Sequence, residues 1–434
     1  MLYENIYTYL LDEEWGTSNL RTYKEGLVND NQAALSDFIP LLAESYQNNK
    51  IQILDFFCGA GGTSLGFACM NSIFPVFKML GGCDIDGISA ETYSRNFGTP
   101  LINEDIRVLA NDFERLTSLL ARIGYDPDKP LILIGCAPCQ GFSSHGKKRW
   151  NEVDDIRNSL VIAFANIVHH LQPDVILIEN VPEFLSKKYW NYFDEARKIF
   201  LEDGYNVKQS IYNAAAFGVP QERFRSIVIG MKKDFVMPSV LLEPEQYKTV
   251  RQTIGGLPKV EAGIKNTEDL MHNCPVHKKS TIEVISQVPH DGGNRPFGVG
   301  PKCLDRTKGF SDTYGRLSWD KPSITITHYS RNPASGRFSH PEQNRGLTAR
   351  EVSLLQSFPY GFIFCGKSDD VYRQIGEAVP PMMSAALAAD ILLELISSVP
   401  EERDRLSNII SVETPVNSSY SSVIAGIKHS RRKK

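Results

Sequence analysis

Two uninterrupted apolar runs, Leu131-Ile132-Leu133-Ile134 and Val175-Ile176-Leu177-Ile178, constrain this chain more than any other feature. Side chains apolar at every position, rather than at alternate ones, need cover on both faces, and short runs of this kind mark strands buried in a parallel sheet. The first run leads into Pro138-Cys139-Gln140 and the second into Glu179-Asn180-Val181. Ligands of open parallel sheets bind beyond the carboxyl ends of the strands. If both runs belong to one sheet, Cys139 and Glu179 share one lip, where a thiol and a carboxylate suit a nucleophile and its proton partner.

The surrounding sequence has the rhythm such a sheet needs. A strand at Ile51-Gln52-Ile53-Leu54 is followed by a glycine turn, Gly59-Ala60-Gly61-Gly62, and a helix from Thr63 to Met70. Further elements are expected near Cys83-Asp84 and Asn103-Glu104-Asp105, with strands at Val207–Tyr212 and Ser226–Ile229. After Asp154-Asp155, apolar residues at Ile156, Leu160, Ala163, Phe164, Ile167, Val168 and Leu171 keep helical spacing. Alternating strands and helices predict a doubly wound α/β sheet over 51–233.

After Lys232-Lys233 the rhythm stops. Residues 234–344 are rich in Pro, Gly, Asn and His, with short strand candidates such as Ser323-Ile324-Thr325-Ile326-Thr327, and read as a smaller, irregular and β domain. Helical character returns in 345–400, at Thr348–Phe358 and Pro381–Ser397. Residues 1–50 form an extension without assignable chemistry, and 401–434 a polar tail with a basic end.

Charge is informative only locally, because 47 basic and 51 acidic residues nearly cancel. Arg316–Arg350 holds six Lys or Arg against two acids, and Gln221–Lys233 holds four against one. Such islands suit a polyanion held in a cleft, or a solvated face. The opening residues lack a basic stretch leading into an apolar one, and no apolar run approaches the length of a membrane span. Eight scattered cysteines fit reduced thiols in the cytoplasm.

The loop Asp55-Phe56-Phe57-Cys58-Gly59-Ala60-Gly61-Gly62-Thr63-Ser64-Leu65-Gly66 stands between strand and helix, where backbone can approach a cofactor closely. Asp84, 25 residues after Gly59, is placed to accept ribose hydroxyls. A dinucleotide fingerprint needs Gly or Ala where Ser64 stands, so a nucleoside cofactor without pyrophosphate, such as S-adenosylmethionine, fits better; a ligand-free tight turn is the alternative. Cys136-Ala137-Pro138-Cys139 is also a Cys-x-x-Cys pair, open to a redox reading or, with Cys274 and His277, to a zinc reading. Against zinc, the pair leaves a strand rather than a knuckle turn. Gln221, Arg223 and Arg225 share one face of any extended strand, and three long donors there address a carboxylate, a base edge or phosphates, or sit solvated on an edge.

Taken in order, these blocks resemble the DNA cytosine-5 methyltransferases. The resemblance rests on Asp55–Gly66, Pro138-Cys139-Gln140 with Phe142-Ser143, Glu179-Asn180-Val181, Gln221-x-Arg223-x-Arg225, Arg345-Gly346-Leu347-Thr348-Ala349-Arg350-Glu351 and Leu355-Gln356-Ser357-Phe358-Pro359, and covers about 51–232 and 313–392. It implies a Rossmann-like S-adenosylmethionine-dependent sheet with a target-recognition domain within 234–344. Cys139 becomes the nucleophile toward C6 of a cytosine flipped from duplex DNA. Glu179 contacts N3, Asn180 holds the loop, and Arg223 and Arg225 orient the base. Phe57, Gly59, Gly61, Gly62, Asp84, Ile85, Asp105, Ile106, Pro138 and Leu160 line the cofactor pocket, while Ser143, Lys147, Lys148 and Arg157 belong to a mobile loop that closes over DNA. No metal is expected. A cytoplasmic monomer, either solitary or paired with a cognate restriction endonuclease, is the expected setting. RNA as substrate, a silent binding partner that keeps the fold, and a nicotinamide oxidoreductase are the rivals. One departure stands out: Gly376-Glu377 occupies the place of the family's usual Gly-Asn. It predicts altered cofactor affinity, or a pairing of Glu377 with a nearby cation.

Overall fold

A computed structural model describes residues 50–71, 75–138, 150–265, 268–305, 312–396, 410–412 and 415–416, with backbone alone for 150–158. The extension before residue 50 and the basic end of the tail lie outside the described residues. Eight strands form one sheet in the order β3-β2-β1-β4-β5-β7-β6-β8. They are β1 Ile51–Phe56, β2 Phe77–Cys83, β3 Leu101–Ile102, β4 Leu131–Gly135, β5 Val175–Asn180, β6 Asn206–Asn213, β7 Phe224–Met231 and β8 Ile410–Ser411.

The first five strands are parallel and are connected through helices, as parallel neighbours require. These helices are α1 Gly62–Met70, α2 Gly87–Phe97, α3 Ile106–Asn111, α4 Phe113–Arg122 and α5 Trp150–Leu171; α6 Trp190–Glu202 then leads to β6. The α6 crossover skips one place in the sheet. After the short turn Ala214–Phe217 and Gly218, β7 folds back into that place, antiparallel to both β5 and β6. This reversal is not encoded in the apolar runs. Ile53 pairs with Ile132 and Leu133 with Ile176, so the two runs are neighbours, fully buried.

Alternation along the strands divides two cores. Ile51, Ile53, Ile132 and Ile134 pack with Phe67 and Met70 of α1 and with the apolar side of α11, Pro381–Ile396. Leu54, Phe56, Leu133 and Ile176 pack on the opposite face with α3, α5 and α6. Helices α1 and α11 approach closely: Ser384 Oγ donates to Thr63 O at 2.6 Å, and a side chain at Gly66 would bring a Cβ within 2.4 Å of Ala385 N. Ser368–Leu395 is apolar enough by composition to cross a membrane, yet 89% of its most apolar window is buried inside the fold. It is core.

Between 234 and 344 the described residues form no ladder strand. The segment holds α7 Val250–Ile254, α8 Lys279–Ser286, short 3-10 turns and isolated bridges such as Gln221↔Ser323. The strand expected at Ser323–Thr327 fails because side chains take its main-chain groups: Ile326 N donates to Gln221 Oε1 at 2.8 Å, and Ile326 O accepts from Arg223 at 2.8 Å. Phe235, Met237, Val240 and Tyr247 return to the main core. Val250, Leu317, Trp319 and Phe338 instead pack with Leu347, Val352, Tyr372 and Ile375, the last three on α9 Ala349–Leu355 and α10 Ser368–Glu377. One core therefore runs across the junction expected at 344/345.

Most arginines of the basic islands are buried or paired with acids. Arg316 and Arg345 are fully buried, at 0% and 1% exposure. Arg316 donates to the carbonyls of Ile285, Val288, His340 and Gln343, and Arg345 grips Glu351 with two bonds of 2.7 and 2.8 Å. Arg350 pairs with Asp269, Arg337 with Asp312 and Arg331 with Asp369. A guanidinium presents five donors in a rigid fork, so it can be buried wherever acceptors surround it. Counting charge along the sequence does not reveal that Arg316 and Arg345 are internal fastenings.

Candidate active site

Strand order reverses at β1, whose neighbours β2 and β4 lie on opposite sides, and such a switch point opens a crevice at the carboxyl ends. The glycine loop enters that crevice. Phe57 at φ 59°, Gly59 at 52° and Gly61 at 90° turn the chain sharply, with Phe57 the only one of the three to carry a side chain in this region. Asp84, just past β2, accepts from Gly59 N and from Asp86 N, both at 2.8 Å, and so fixes the loop against the next strand. Beneath the loop, Ser64 Oγ donates to Asp55 Oδ2 at 2.8 Å and lies 2.9 Å from Tyr93 Oη. Burial pushes the Asp55 carboxyl up to about 7, and its Oδ1 is buried without a partner among the described residues.

These residues fit a nucleoside cofactor. A Cβ built at Gly59 meets nothing within 4 Å, so the loop faces open space there. Gly61 and Gly62 are glycine for packing instead: a Cβ would lie 2.4 Å from Phe97 and 2.2 Å from Val379 O. Ile85 beside Asp84 is 70% exposed, an apolar surface at the mouth of the crevice, and Pro138 is exposed too. Ile106 is buried and Leu160 half-buried. Asp105 caps α3 through Arg107 N at 2.9 Å, and the Arg107 guanidinium beside it holds its carboxyl below the usual range.

The second half of the site lies one strand over. Gly135 pairs with Ile178, so Cys136, just past β4, and Glu179 on β5 follow at the same level. Asn180 Nδ2 donates to Ala137 O at 3.2 Å, tethering the chain that leads to Cys139. Ser226 Oγ on β7 in turn reaches the carbonyls of Asn180 and Val181 at 3.1 and 3.0 Å. Glu179 Oε1 meets Arg225 Nε at 2.8 Å, with both side chains mostly covered. Cys139, Ser143, Lys147 and Lys148 lie outside the described residues. Arg157 is described only as backbone of α5.

The donors Gln221, Arg223 and Arg225 do not share one strand face, because β7 begins at Phe224. Arg225 alone addresses a carboxylate. Gln221, fully buried, reaches Gln356 and Leu355 O, while Arg223, 2% exposed, donates to the carbonyls of Ile326, Gly376 and Ala378 at 2.8, 3.2 and 3.1 Å. Arg223 thereby ties the irregular segment to the end of α10.

Cys136 Sγ lies 3.5 Å from Thr63 Oγ1, and burial, reinforced by Asp55 and Glu179, pushes its thiol well up. Cys274 and His277 instead pack against Gly346, with Sγ to Nε2 at 3.7 Å and the Cys274 thiol pushed up by burial to about 12. Cys136 and the Cys274–His277 pair thus sit in different neighbourhoods, and the described residues hold no cluster of three metal-binding side chains. Glu377 has its carboxylate 3.6 Å from Arg373, the cation that the alternative reading of that departure required. Sequence reasoning gave Asp55 and Arg373 no role. A carboxylate inside an apolar strand was the available signal for Asp55; Arg373 offered none.

Comparison with known proteins agrees with this geometry. Residues 51–393 match the family model described as C-5 cytosine-specific DNA methylase. The chain is 35% identical over 344 residues to the type II methyltransferase M1.HphI of Haemophilus parahaemolyticus, covering 79% of this chain and 87% of the relative. It is 31% identical over 354 residues to the type II methylase M.HgiDII of Herpetosiphon aurantiacus, covering 78% and 94%. In fold it is similar to a prophage-encoded Escherichia coli protein assigned as a DNA modification methyltransferase, with TM-score 0.62 at 23% identity over 80% of this chain and all of the other.

Proposed function

The chain belongs to the C-5 cytosine-specific DNA methylase family, and we propose that it methylates C5 of a cytosine within a particular duplex sequence through a covalent adduct of Cys139. The Cys139 thiolate adds to C6 of a base turned out of the helix. Glu179 contacts N3 and supports its protonation by a proton drawn from solvent as the electron pair of the C5–C6 double bond shifts toward C5. S-adenosylmethionine, when bound, supplies the electrophilic methyl group that C5 accepts. A solvent base then takes the C5 proton, the electron pair expels the Cys139 thiolate from C6, and the N3 proton returns to solvent.

The observation that carries this reading is the linkage around Glu179. Arg225 holds its carboxylate on one side, and Asn180 fastens Ala137 on the other. The base-facing acid and the cysteine loop are thereby held by adjacent residues of one strand, beside an open glycine loop. Arg223 steadies this arrangement from beneath by joining Ile326 to Gly376 and Ala378. Phe57, Gly59, Asp84, Ile85 and Pro138 form the cofactor mouth; Gly61, Gly62, Asp105, Ile106 and Leu160 shape it from behind.

Duplex DNA is the partner we assign. Ser143, Lys147, Lys148 and Arg157 serve its backbone, and residues 234–344 read its sequence. In that segment Leu270, Val276 and Phe297 are 78%, 81% and 86% exposed, apolar side chains available to base edges. We assign a monomer acting in the cytoplasm, and the type II names of the relatives support a companion restriction endonuclease.

The test incubates the protein with labelled methyl donor and mixed-sequence duplex, and maps modified cytosines by sequencing. A duplex carrying 5-fluorocytosine at the mapped site should give an adduct on the Cys139 peptide by mass spectrometry, and Cys139→Ser should give neither adduct nor product. Undiminished transfer by Cys139→Ser refutes the covalent route. Transfer to RNA alone refutes the substrate.

A further inference from the structure

Arg373 lies on α10, outside every motif that suggested chemistry, yet it reaches the cofactor mouth through two shared carboxylates. Its Nη2 binds Asp86 Oδ2, the N-cap residue of α2. Asp86 also accepts from Ile88 N at 3.0 Å and Ser89 Oγ at 3.1 Å, while Asp86 N donates to Asp84 Oδ1 at 2.8 Å. Asp84 completes the path by accepting from Gly59 N. Exposed Ile85 stands between the two acids. Arg373 also lies 3.6 Å from Glu377 and 3.9 Å from Asp370.

Three carboxylates converge on one guanidinium, and the turn carrying Asp84 and Ile85 is otherwise held through the main chain of Asp84, whose N donates to Ile102 O at 3.1 Å and whose O accepts from Asn103 Nδ2 at 2.8 Å. We propose that Arg373 is a positioning residue for the methyl donor: by clamping Asp86 it holds Asp84 and Ile85 where the nucleoside binds, and by pairing Glu377 it keeps that carboxylate off the cofactor. This rests on the reading of the crevice as a cofactor site.

The experiment uses the full chain and S-adenosylhomocysteine as probe, by isothermal titration calorimetry, with circular dichroism to verify folding. Arg373→Met should weaken the probe about fivefold to tenfold, the scale of one partly exposed charge-assisted contact. Arg373→Lys should recover part of the loss. Asp86→Asn, which keeps a capping acceptor, should weaken binding similarly, and the double variant should be no worse than Arg373→Met. In methylation assays the KM for S-adenosylmethionine should rise with the same factor, whereas kcat at saturation and the KM for DNA stay within twofold. Affinity within twofold of the parent in folded Arg373→Met or in Asp86→Asn overturns the proposal, as do additive losses in the double variant. A parent chain that does not bind the probe overturns the cofactor reading itself, and this inference with it.

Discussion

Replacing Glu351 by alanine should destabilise the protein by about 4 kcal/mol. Glu351 is 1% exposed and accepts two bonds from Arg345, itself 1% exposed, and a third from Thr348 N at 2.7 Å. It also completes the capping box of α9, in which Thr348 Oγ1 accepts from Glu351 N at 3.1 Å. Breaking a buried ion pair from one side costs about 3–5 kcal/mol because the remaining charge is stranded, and the buried Thr348 amide left without its acceptor adds about 1 kcal/mol. Arg345 keeps the carbonyls of Val260 and Gly346 as acceptors, which argues for the lower end of the first range. Urea unfolding followed by tryptophan fluorescence measures the loss, with Trp319 reporting from the same core. The discriminating variant is the double Arg345→Met with Glu351→Met, which strands no charge and should cost less than either single methionine substitution. If the double costs the sum of the singles, Arg345 and Glu351 are not interdependent and the stranded-charge account is wrong.

Two further outcomes follow from other parts of the fold. His340 is buried and accepts from the main-chain amides of Glu342 and Gln343 at Nδ1, and burial lowers its pKa to about 4. A folded value below the ordinary 6.5 means the unfolded chain binds the extra proton, so this contribution is intact above pH 6.5 and is lost as pH falls toward 4. The loss between pH 7 and pH 5 should be about 2 kcal/mol, and a His340→Asn variant that shows the same urea-midpoint slope over that range removes His340 as its cause. Gly62→Ala should destabilise the protein by about 1–3 kcal/mol, since its Cβ would lie 2.2 Å from the main-chain oxygen of Val379, which cannot swing aside; an unchanged thermal midpoint contradicts so close an approach.

What could be read from the sequence was local. The runs at Leu131 and Val175 declare their burial because both faces are covered, and Glu179 and Asn180 follow the second run by adjacency alone. The glycine loop is legible because its turn needs particular residues in succession. What could not be read depends on partners far along the chain. Arg350 is neutralised by Asp269, 81 residues earlier, and Gln221 finds Gln356, 135 residues later. Nothing beside Arg316 announces that carbonyls of four distant residues will surround it. The alternation at Ser323–Thr327 is a fair strand signal, overruled by Gln221 and Arg223, which take its hydrogen bonds. Arg223 and Arg225 look equivalent at period two, yet a strand that begins between them gives one to the protein interior and the other to Glu179.

The close seating of α1 on α11 sets a timetable for synthesis. Thr63 and Ser384 are 321 residues apart, so the helix under the glycine loop waits for its partner until nearly the whole described chain has left the ribosome. At roughly 5–20 residues per second that interval is about 16–64 s. During it, Gly66 and the apolar side of α1 face solvent or a chaperone, and no shortened nascent chain can present a finished crevice. A ribosome stalled before α11 thus leaves α1 and the glycine loop without the helix they pack against.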